Sequence, residues 1–413
     1  MIRTCTVKLG RAPAQEDKLA RVLGLCCTLY NAALQQRREA WDRQRRSLTF
    51  YDQCKDLTQL RADDSDYQQL PAQMTRVTVL HRLDRAFAGF FRRVKHGQKP
   101  GFPRFRSRDR FDTLTFTTAG WRIEGRRLIV HAGPSPIVLR MRNAIHRDGE
   151  ITGLRLVRKG DRWWAHFLVD IGAAPAVRPS DHGVGIDVGL RTFATLSDGA
   201  TIEHPHFLAR SLEQVKAAQR AVSRKVKGSR NRAKAKRALG RMHERIANRR
   251  RNFIHQAVAG LVKVYDGFAI EDLDVQQMAQ AAPGSGLARG IMESGWSMFG
   301  AHLAAKAEEA GLAVVRVNPR GTSQRCSACG SLVRKALGDR VHACSACGLV
   351  LDRDENAARN IYDLGCRSAI GSDCREQAGC TPPRDGADGA EVSKGIRPGT
   401  TPIFCPSFST ADT

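Results

Sequence analysis

The sequence predicts an α+β multidomain protein, on three observations. Short segments of alternating hydrophobicity crowd the stretch from about Thr113 to Ile171, whereas apolar strands and long helical stretches alternate from Val184 to Val317. A regular four-cysteine pattern interrupts the chain between Thr322 and Val350.

The first strand is expected near Ile2 to Leu9. It is followed from Gln15 to about Arg45 by Leu19, Val22, Leu23, Leu25, Cys26, Tyr30 and Leu34, whose three- and four-residue spacing predicts an amphipathic helix. A second such pattern runs from Pro71 to about Val94 and ends in Arg92, Arg93 and Lys95. Gly and Pro then forbid a helix over His96 to Arg110, where Phe102 and Phe105 alternate with Arg104, Arg106 and Arg108. Aromatics interleaved with arginines suit base faces and a phosphate backbone; the plainer alternative is a loop anchored by two buried phenylalanines.

The alternating segments at Leu128 to His131, Ile137 to Arg140, Leu154 to Arg158 and Trp163 to Val169 predict a β-barrel-like domain or small sheet, with the helices inserted after its first strand. Gly172 to Ser180 is a linker in composition. Beyond it lie strands at Val184 to Val188, Thr192 to Leu196 and around Ile202, a basic helical stretch, a helix at Asn252 to Val264, and a strand at Gly267 to Ile270. After a flexible segment at Ala282 to Gly286 come a helix at Trp296 to Ala310, a strand at Ala313 to Val317 and a last helix near Asp354.

Sixty-seven Lys and Arg against 41 Asp and Glu give the 413-residue chain a net charge of +26. The last 48 residues are nearly neutral, so the first 365 carry 62 − 35 = +27. A polyanion is the expected partner, since such a surface releases counterions on meeting phosphates. Between Lys216 and Arg251 there are 15 Lys or Arg and one acid, Glu244, too lopsided for ordinary pairing along a helix. Arg224, Lys225, Lys234 and Arg237 are candidate phosphate contacts from that run. No apolar stretch of about 18 residues occurs, and Met1 to Gly10 lacks the apolar core of a secretory signal. A soluble, cytoplasmic protein is expected, with no membrane partner.

Cys326, Cys329, Cys344 and Cys347 form C-x2-C-x14-C-x2-C, each pair followed by glycine, Gly330 and Gly348. Two thiolates on one tight turn hold a metal from one side, and glycine supplies the positive φ that the turn needs. One structural Zn²⁺ is expected, in preference to disulfides or a redox pair. The remaining cysteines show no such spacing.

Asp187 interrupts the apolar strand GVGIDVGL, Glu271 ends the strand FAIED, and Asp354 lies in LDRDENAARNI at the head of the last helix. A carboxylate inside an apolar strand costs several kcal/mol unless a positive charge offsets it. If the three converge, they supply oxygen ligands for two Mg²⁺ ions able to activate water against a phosphodiester. Singly, each has a duller role: pairing with Arg191, pairing with another cation, or capping a helix. Asp272, Asp274, Asp352 and Glu355 are the rivals nearby.

GIDVGLRTFATLSDG, the basic stretch, AIEDLDVQQM, NPRGTSQRCSACG and CSACGLVLDRDENAARNI occur in the order that resembles the TnpB proteins of insertion sequences, relatives of type V CRISPR effectors; PGFPRFRSR is similar too. The resemblance covers about residues 1 to 365. It implies an RNase H-like (RuvC-type) nuclease guided by an RNA from the transposon end, cutting double-stranded target DNA beside a short adjacent motif. Carried over, Asp187, Glu271 and Asp354 match the Mg²⁺-binding catalytic acids, and the four cysteines match the zinc site of a target-nucleic-acid-binding insertion. By the same resemblance residues 1–12 and 111–180 form a wedge domain, 13–110 a helical recognition lobe, 181–321 with 351–365 the nuclease domain, and 322–350 the zinc ribbon; residues 366–413, with six Gly, five Pro and almost no apolar pattern, are expected from composition to be a disordered tail. A monomeric ribonucleoprotein, nucleoid-associated in a prokaryotic cell, is the expected form. A DNA strand transferase would use the same three acids, and a non-catalytic nucleic-acid-binding regulator could retain the zinc module.

Overall fold

The computed structural model describes residues 1–336 and 338–368, and the chain divides into two units, Met1–Ala173 and a second beginning at Ala174. In the first unit strand β1 (Ile2–Lys8) buries Cys5 and Val7 on one face. Helix α1 (Pro13–Gln44) starts on a proline, whose missing N–H is harmless there, and stops where Arg45 turns left-handed at φ 51°. Helix α2 (Phe50–Asp63) was not legible from apolar spacing. Its signal is a capping box, in which Thr49 and Asp52 each bond the other's backbone N–H.

Short helices α3 (Ser65–Gln68) and α4 (Ala72–Thr75) follow. The helix expected from Pro71 to Val94 forms as α4, a wide π-turn over Arg76–Leu80, and α5 (His81–Lys95). The remaining strands of the unit are β2 (Thr113–Phe116), β3 (Trp121–Glu124), β4 (Arg127–Val130), β5 (Ile137–Arg140), β6 (Glu150–Lys159) and β7 (Arg162–Asp170).

Strand β1 pairs antiparallel with β7 from Ile2 opposite Asp170 to Lys8 opposite Trp164, so the chain returns after its helical excursion to complete the sheet. The sheets are β1-β7-β6-β2 and the meander β3-β4-β5. Neither is a closed sheet: of the expected β-barrel-like domain or small sheet, the structure shows two open antiparallel sheets. Their inner faces share one core with α1, including Cys5, Leu19, Leu34, Phe111, Leu114 and Phe167, all essentially without exposure.

The second unit opens with β8 (Gly183–Val188), β9 (Thr192–Leu196) and β10 (Thr201–Glu203). Helices α6 (Phe207–Ser223) and α7 (Arg230–Val264) carry the basic run. From Arg230 onward the basic stretch and the amphipathic helix expected at Asn252 are one continuous α7 of 35 residues. Its distal half buries Ile254, Val258 and Leu261, and that anchorage lets the polar half project as the same helix. Strand β11 (Gly267–Glu271), helices α8 (Val275–Gln280), α9 (Gly286–Ser294) and α10 (Trp296–Ala310), strands β12 (Ala313–Val317), β13 (Val341–Ala343) and β14 (Val350–Asp352), and helix α11 (Arg353–Ser368) complete it.

The central sheet runs β10-β9-β8-β11-β12, with β8, β11 and β12 parallel and β9 and β10 an antiparallel meander. Helices α7 and α10 cover one face through Val258, Leu261, Phe299 and Leu303. Helix α11 covers the other, its Ile361 packed with Ala269 and Val317. Of the tail expected from Cys366, the first three residues continue α11; residues 369–413, with Cys374, Cys380 and Cys405, lie outside the described residues. Among the described residues no helix is long and apolar enough to cross a membrane.

Candidate active site and zinc site

Strand register brings the first two acids together. Strands β8 and β11 pair in parallel up to Ile186 beside Ile270, so Asp187 and Glu271 are the next residues on adjacent strands, about 4.8 Å apart in the pairing direction. Alternation along a strand puts Asp187 on the face of Gly185 and Glu271 on the face of Ala269. Helix α11 lies on that face. A Cβ at Gly185 would stand 2.2 Å from the Ala358 carbonyl oxygen, and one at Gly365 would stand 2.5 Å from Ala269 Cβ. The helix is therefore pressed against both strands, and Asp354 in its first turn is near enough for its charge to act on Asp187.

Electrostatics express the convergence. Burial first, then the charges of Glu271 and Asp354, push the Asp187 carboxyl well above the usual carboxylate range. Burial likewise raises Glu271, against a hydrogen bond from Thr322, and burial with the charge of Asp352 raises Asp354. Arg353 acts on Asp187 in the opposite sense and does not outweigh the two acids. Arg340 Nη1 is 3.9 Å from Asp354.

The rival carboxylates have other tasks. Asp352 caps α11 by accepting from Asp354 N at 2.8 Å and Glu355 N at 3.3 Å. Asp272 pairs with Arg316 at 3.3 Å, Asp274 caps α8, and Glu355 pairs with Arg359 at 2.7 Å. All three carboxyls are raised first of all by burial, and carboxylate oxygens are the ligand type that hard divalent cations take.

The four cysteines also meet. Their sulfurs all lie within 4.8 Å of one another, with Cys326 to Cys347 and Cys329 to Cys344 each 3.6 Å. A disulfide requires about 2.05 Å, whereas a tetrahedral zinc with bonds of about 2.3 Å spaces its sulfurs by roughly 3.8 Å. The cluster therefore fits Zn²⁺.

The two knuckles repeat one geometry. Gly330 N donates to the Cys326 carbonyl and Gly348 N to the Cys344 carbonyl, both at 2.9 Å, with φ 78° and 74° at the glycines. Hydrogen bonds with Ser331 lower the Cys329 thiol to about 6, while Cys347, despite a backbone hydrogen bond from Leu349, is pushed up to about 12 by hydrogen bonds with the other three cysteines. Strands β13 and β14 pair as a hairpin, and β14 runs directly into α11.

Apolar periodicity gave no sign of the polar contacts between the cysteine knuckle and α11. Asn356 and Asn360, buried at 0% and 7% exposure, both donate to the Arg325 carbonyl. Two asparagines four apart on a buried helical face are a signal visible in the sequence once that face is known. Thr322, also buried, donates its hydroxyl to Glu271 Oε1 at 2.6 Å.

The candidate nucleic-acid contacts are all exposed. Arg224 and Lys225 sit in the turn between α6 and α7, and Lys234 and Arg237 on the polar half of α7. In the other unit Arg104, Arg106 and Arg108 lie on a segment pinned to α1, where Asn31 bonds both the N–H and the carbonyl of Arg106 at 2.9 Å. Phe102 and Phe105 are 46% and 48% exposed, so the loop is not anchored by two buried phenylalanines. Phe102 instead meets Phe87 and Phe90 edge-on, and Arg38 stacks over Phe105.

A family model described as "Probable transposase" (OrfB, IS605) matches residues 166–282, one described as "Cas12f1-like, TNB domain" matches 296–361, and one described as "Helix-turn-helix domain" matches 1–46. Over that last range the structure has one strand and one helix. A protein of Streptomyces pristinaespiralis described as "Putative RNA-guided DNA endonuclease" is 32% identical over 375 residues, covering 88% of this chain and 89% of that protein. The Escherichia coli K12 protein with the same description, InsQ, is 30% identical over 367 residues, covering 85% and 89%. The solved Cas12f1–sgRNA–target DNA complex shares the fold at a TM-score of 0.51 and 14% identity, covering 85% of this chain and 83% of that one. The chain belongs to the TnpB (IS605 OrfB) family of RNA-guided DNA endonucleases, related to Cas12f.

Proposed function

We propose that this protein cuts double-stranded target DNA, beside a short adjacent motif, as a Mg²⁺-dependent endonuclease directed by an RNA from the end of its transposon. The observation that carries the metal dependence is the placing of Asp187 and Glu271 as the next residues on paired strands, with Asp354 in the first turn of the helix packed on them, where burial and then the charges of Glu271 and Asp354 raise the Asp187 carboxyl more than Arg353 lowers it. Two bound Mg²⁺ ions would supply an activated water and a stabilised leaving oxygen.

The protein's own part is positional. Asp187 and Glu271 come from paired strands and are fixed by the ladder, while Asp354 sits in the first turn of α11, where the helix dipole favours a carboxylate. Thr322 occupies Glu271 Oε1 and leaves the second oxygen for a cation. Arg340 stands at the edge of the group, a positive charge suited to the phosphate being cut.

Sequence is read by pairing of guide and target, so the protein needs charge and shape rather than base contacts. The exposed basic faces of α6 and α7 and the Arg104–Arg108 segment supply that charge. On this reading residues 1–12 and 111–180 serve as the wedge, 13–110 as the recognition lobe, and the ribbon, closed by one structural Zn²⁺, contacts target nucleic acid. The working unit is a monomeric ribonucleoprotein in the cytoplasm.

The test is co-expression with the flanking transposon-end RNA and a plasmid-cleavage assay. RNA- and Mg²⁺-dependent cutting is expected, with Asp187→Ala binding target but not cutting. Joined strands instead of cut ones would assign a strand transferase, and the absence of any RNA-dependent product would overturn the reading.

A further inference from the structure

We infer that Thr322, Asn356 and Asn360 are positioning residues that tie the first cysteine knuckle to the Glu271 carboxylate, so that the ribbon's metal-bound form holds the nuclease's cation site in register. This rests on the reading of Glu271 as a Mg²⁺ ligand.

The link is an unbroken set of hydrogen bonds. Inside the knuckle, Ser327 N donates to Asn356 Oδ1 at 3.0 Å. Asn356 Nδ2 donates to the Arg325 carbonyl at 2.8 Å, one residue before Cys326. Asn360 Nδ2 bridges the Arg325 carbonyl at 2.7 Å and the Thr322 carbonyl at 2.8 Å. Thr322 Oγ1 closes the path on Glu271 Oε1 at 2.6 Å.

The three linking side chains are buried, at 0% for Asn356, 7% for Asn360 and 5% for Thr322, and Glu271 at the end of the path is partly buried. Buried polar groups with all partners met have one arrangement, and losing a partner cannot be made good by water. Asn356 and Asn360 stand one turn apart on the helix that carries Asp354. One face of α11 thus grips the knuckle while its first turn presents a catalytic acid. Because metal binding supplies much of the folding energy of such a four-cysteine unit, losing the metal should loosen Ser327 and Arg325 and with them that grip.

The experiment measures Mn²⁺ binding to the full-length protein by electron paramagnetic resonance, alongside zinc content by atomic absorption and a thermal melt. Thr322→Val keeps the shape and removes the hydroxyl. It is expected to retain one zinc, melt cooperatively and bind Mn²⁺ roughly 10–100-fold more weakly, the usual loss when a partner of a metal ligand is removed. Thr322→Ser, which restores the hydroxyl, should recover most of the affinity, a rescue that a purely packing role for the threonine would not give.

Asn360→Ala should also weaken Mn²⁺ binding, and its combination with Thr322→Val should be less than additive, because both act on one path. If Asn360→Ala does not fold, the valine and serine variants decide alone. Unchanged affinity in Thr322→Val, with affinity lost in Asp187→Ala, overturns this inference and leaves the nuclease reading standing. A wild-type protein whose Mn²⁺ binding is absent or indifferent to Asp187→Ala overturns both.

Discussion

Gly185 of β8 and Ala358 of α11 touch backbone to backbone: a methyl group on Gly185 would lie 2.2 Å from the Ala358 carbonyl oxygen and 2.6 Å from the Tyr362 amide. Only glycine allows the helix this close to the sheet, and that closeness brings Asp354 to the ends of β8 and β11. Gly185→Ala is expected to cost at least about 2 kcal/mol, because rigid backbone must move, and to reduce cleavage beyond what its melting temperature explains. Gly240→Ala is the matched control. It lies exposed inside α7 with nothing within 4 Å of the added methyl, and should stabilise by up to about 1 kcal/mol. Chemical denaturation of both variants checks the pair; equal stabilities would refute the close-packing argument.

What was legible in the sequence followed from period and punctuation. The strands around Asp187 and Glu271 could be read because β8 and β11 are buried on both faces and so run continuously apolar. The metal knuckles could be read because a tight thiolate turn fixes both spacing and glycine. Helix α2 could not, because its mean composition is polar and its start is set by a capping box; nor could the π-turn at Arg76–Leu80, which leaves the apolar spacing of Val77, Val79 and Leu80 intact. The openness of the N-terminal sheets depends on which edges pair across long loops, and alternation says nothing of that. Thr322 escaped notice for a different reason: its role is set by register between strand, ribbon and helix, not by any local pattern.

A pH dependence follows from the crowded carboxyls. Burial, then Glu271 and Asp354, raise the folded pKa of Asp187, so the native protein keeps a proton that the unfolded chain releases above about 4. The native state then binds more protons than the unfolded one, and stability falls as pH climbs from that value through the raised folded pKa. Asp187→Asn removes the conflict. At neutral pH, with zinc present and no other divalent cation, the variant should melt a few degrees above wild type, while cutting no DNA. Below about pH 4 the difference should vanish, since both states are then protonated. Added Mg²⁺ should raise wild type alone. Calorimetric melts across pH decide it, and an Asn variant less stable at neutral pH would contradict the argument.

The basic face of α6 and α7 predicts a salt dependence of known size. Arg224, Lys225, Lys234 and Arg237 are exposed; Arg224 caps α6 only through its backbone N–H, and Arg237 Nε reaches only the Ala233 carbonyl of its own helix at 3.4 Å, so replacing all four with glutamine should leave the melt nearly unchanged, within about 0.5 kcal/mol. If each meets a phosphate, each releases roughly 0.7–0.9 of a counterion, and the slope of log affinity against log salt should become shallower by about 3. The loss of affinity for guide RNA should then be large at low salt and small at high salt. Filter binding over a salt series measures the slope directly. A parallel displacement of the line, with its slope unchanged, would mean that these four residues face solvent in the complex and that the phosphate contacts lie elsewhere on the +27 surface of the first 365 residues.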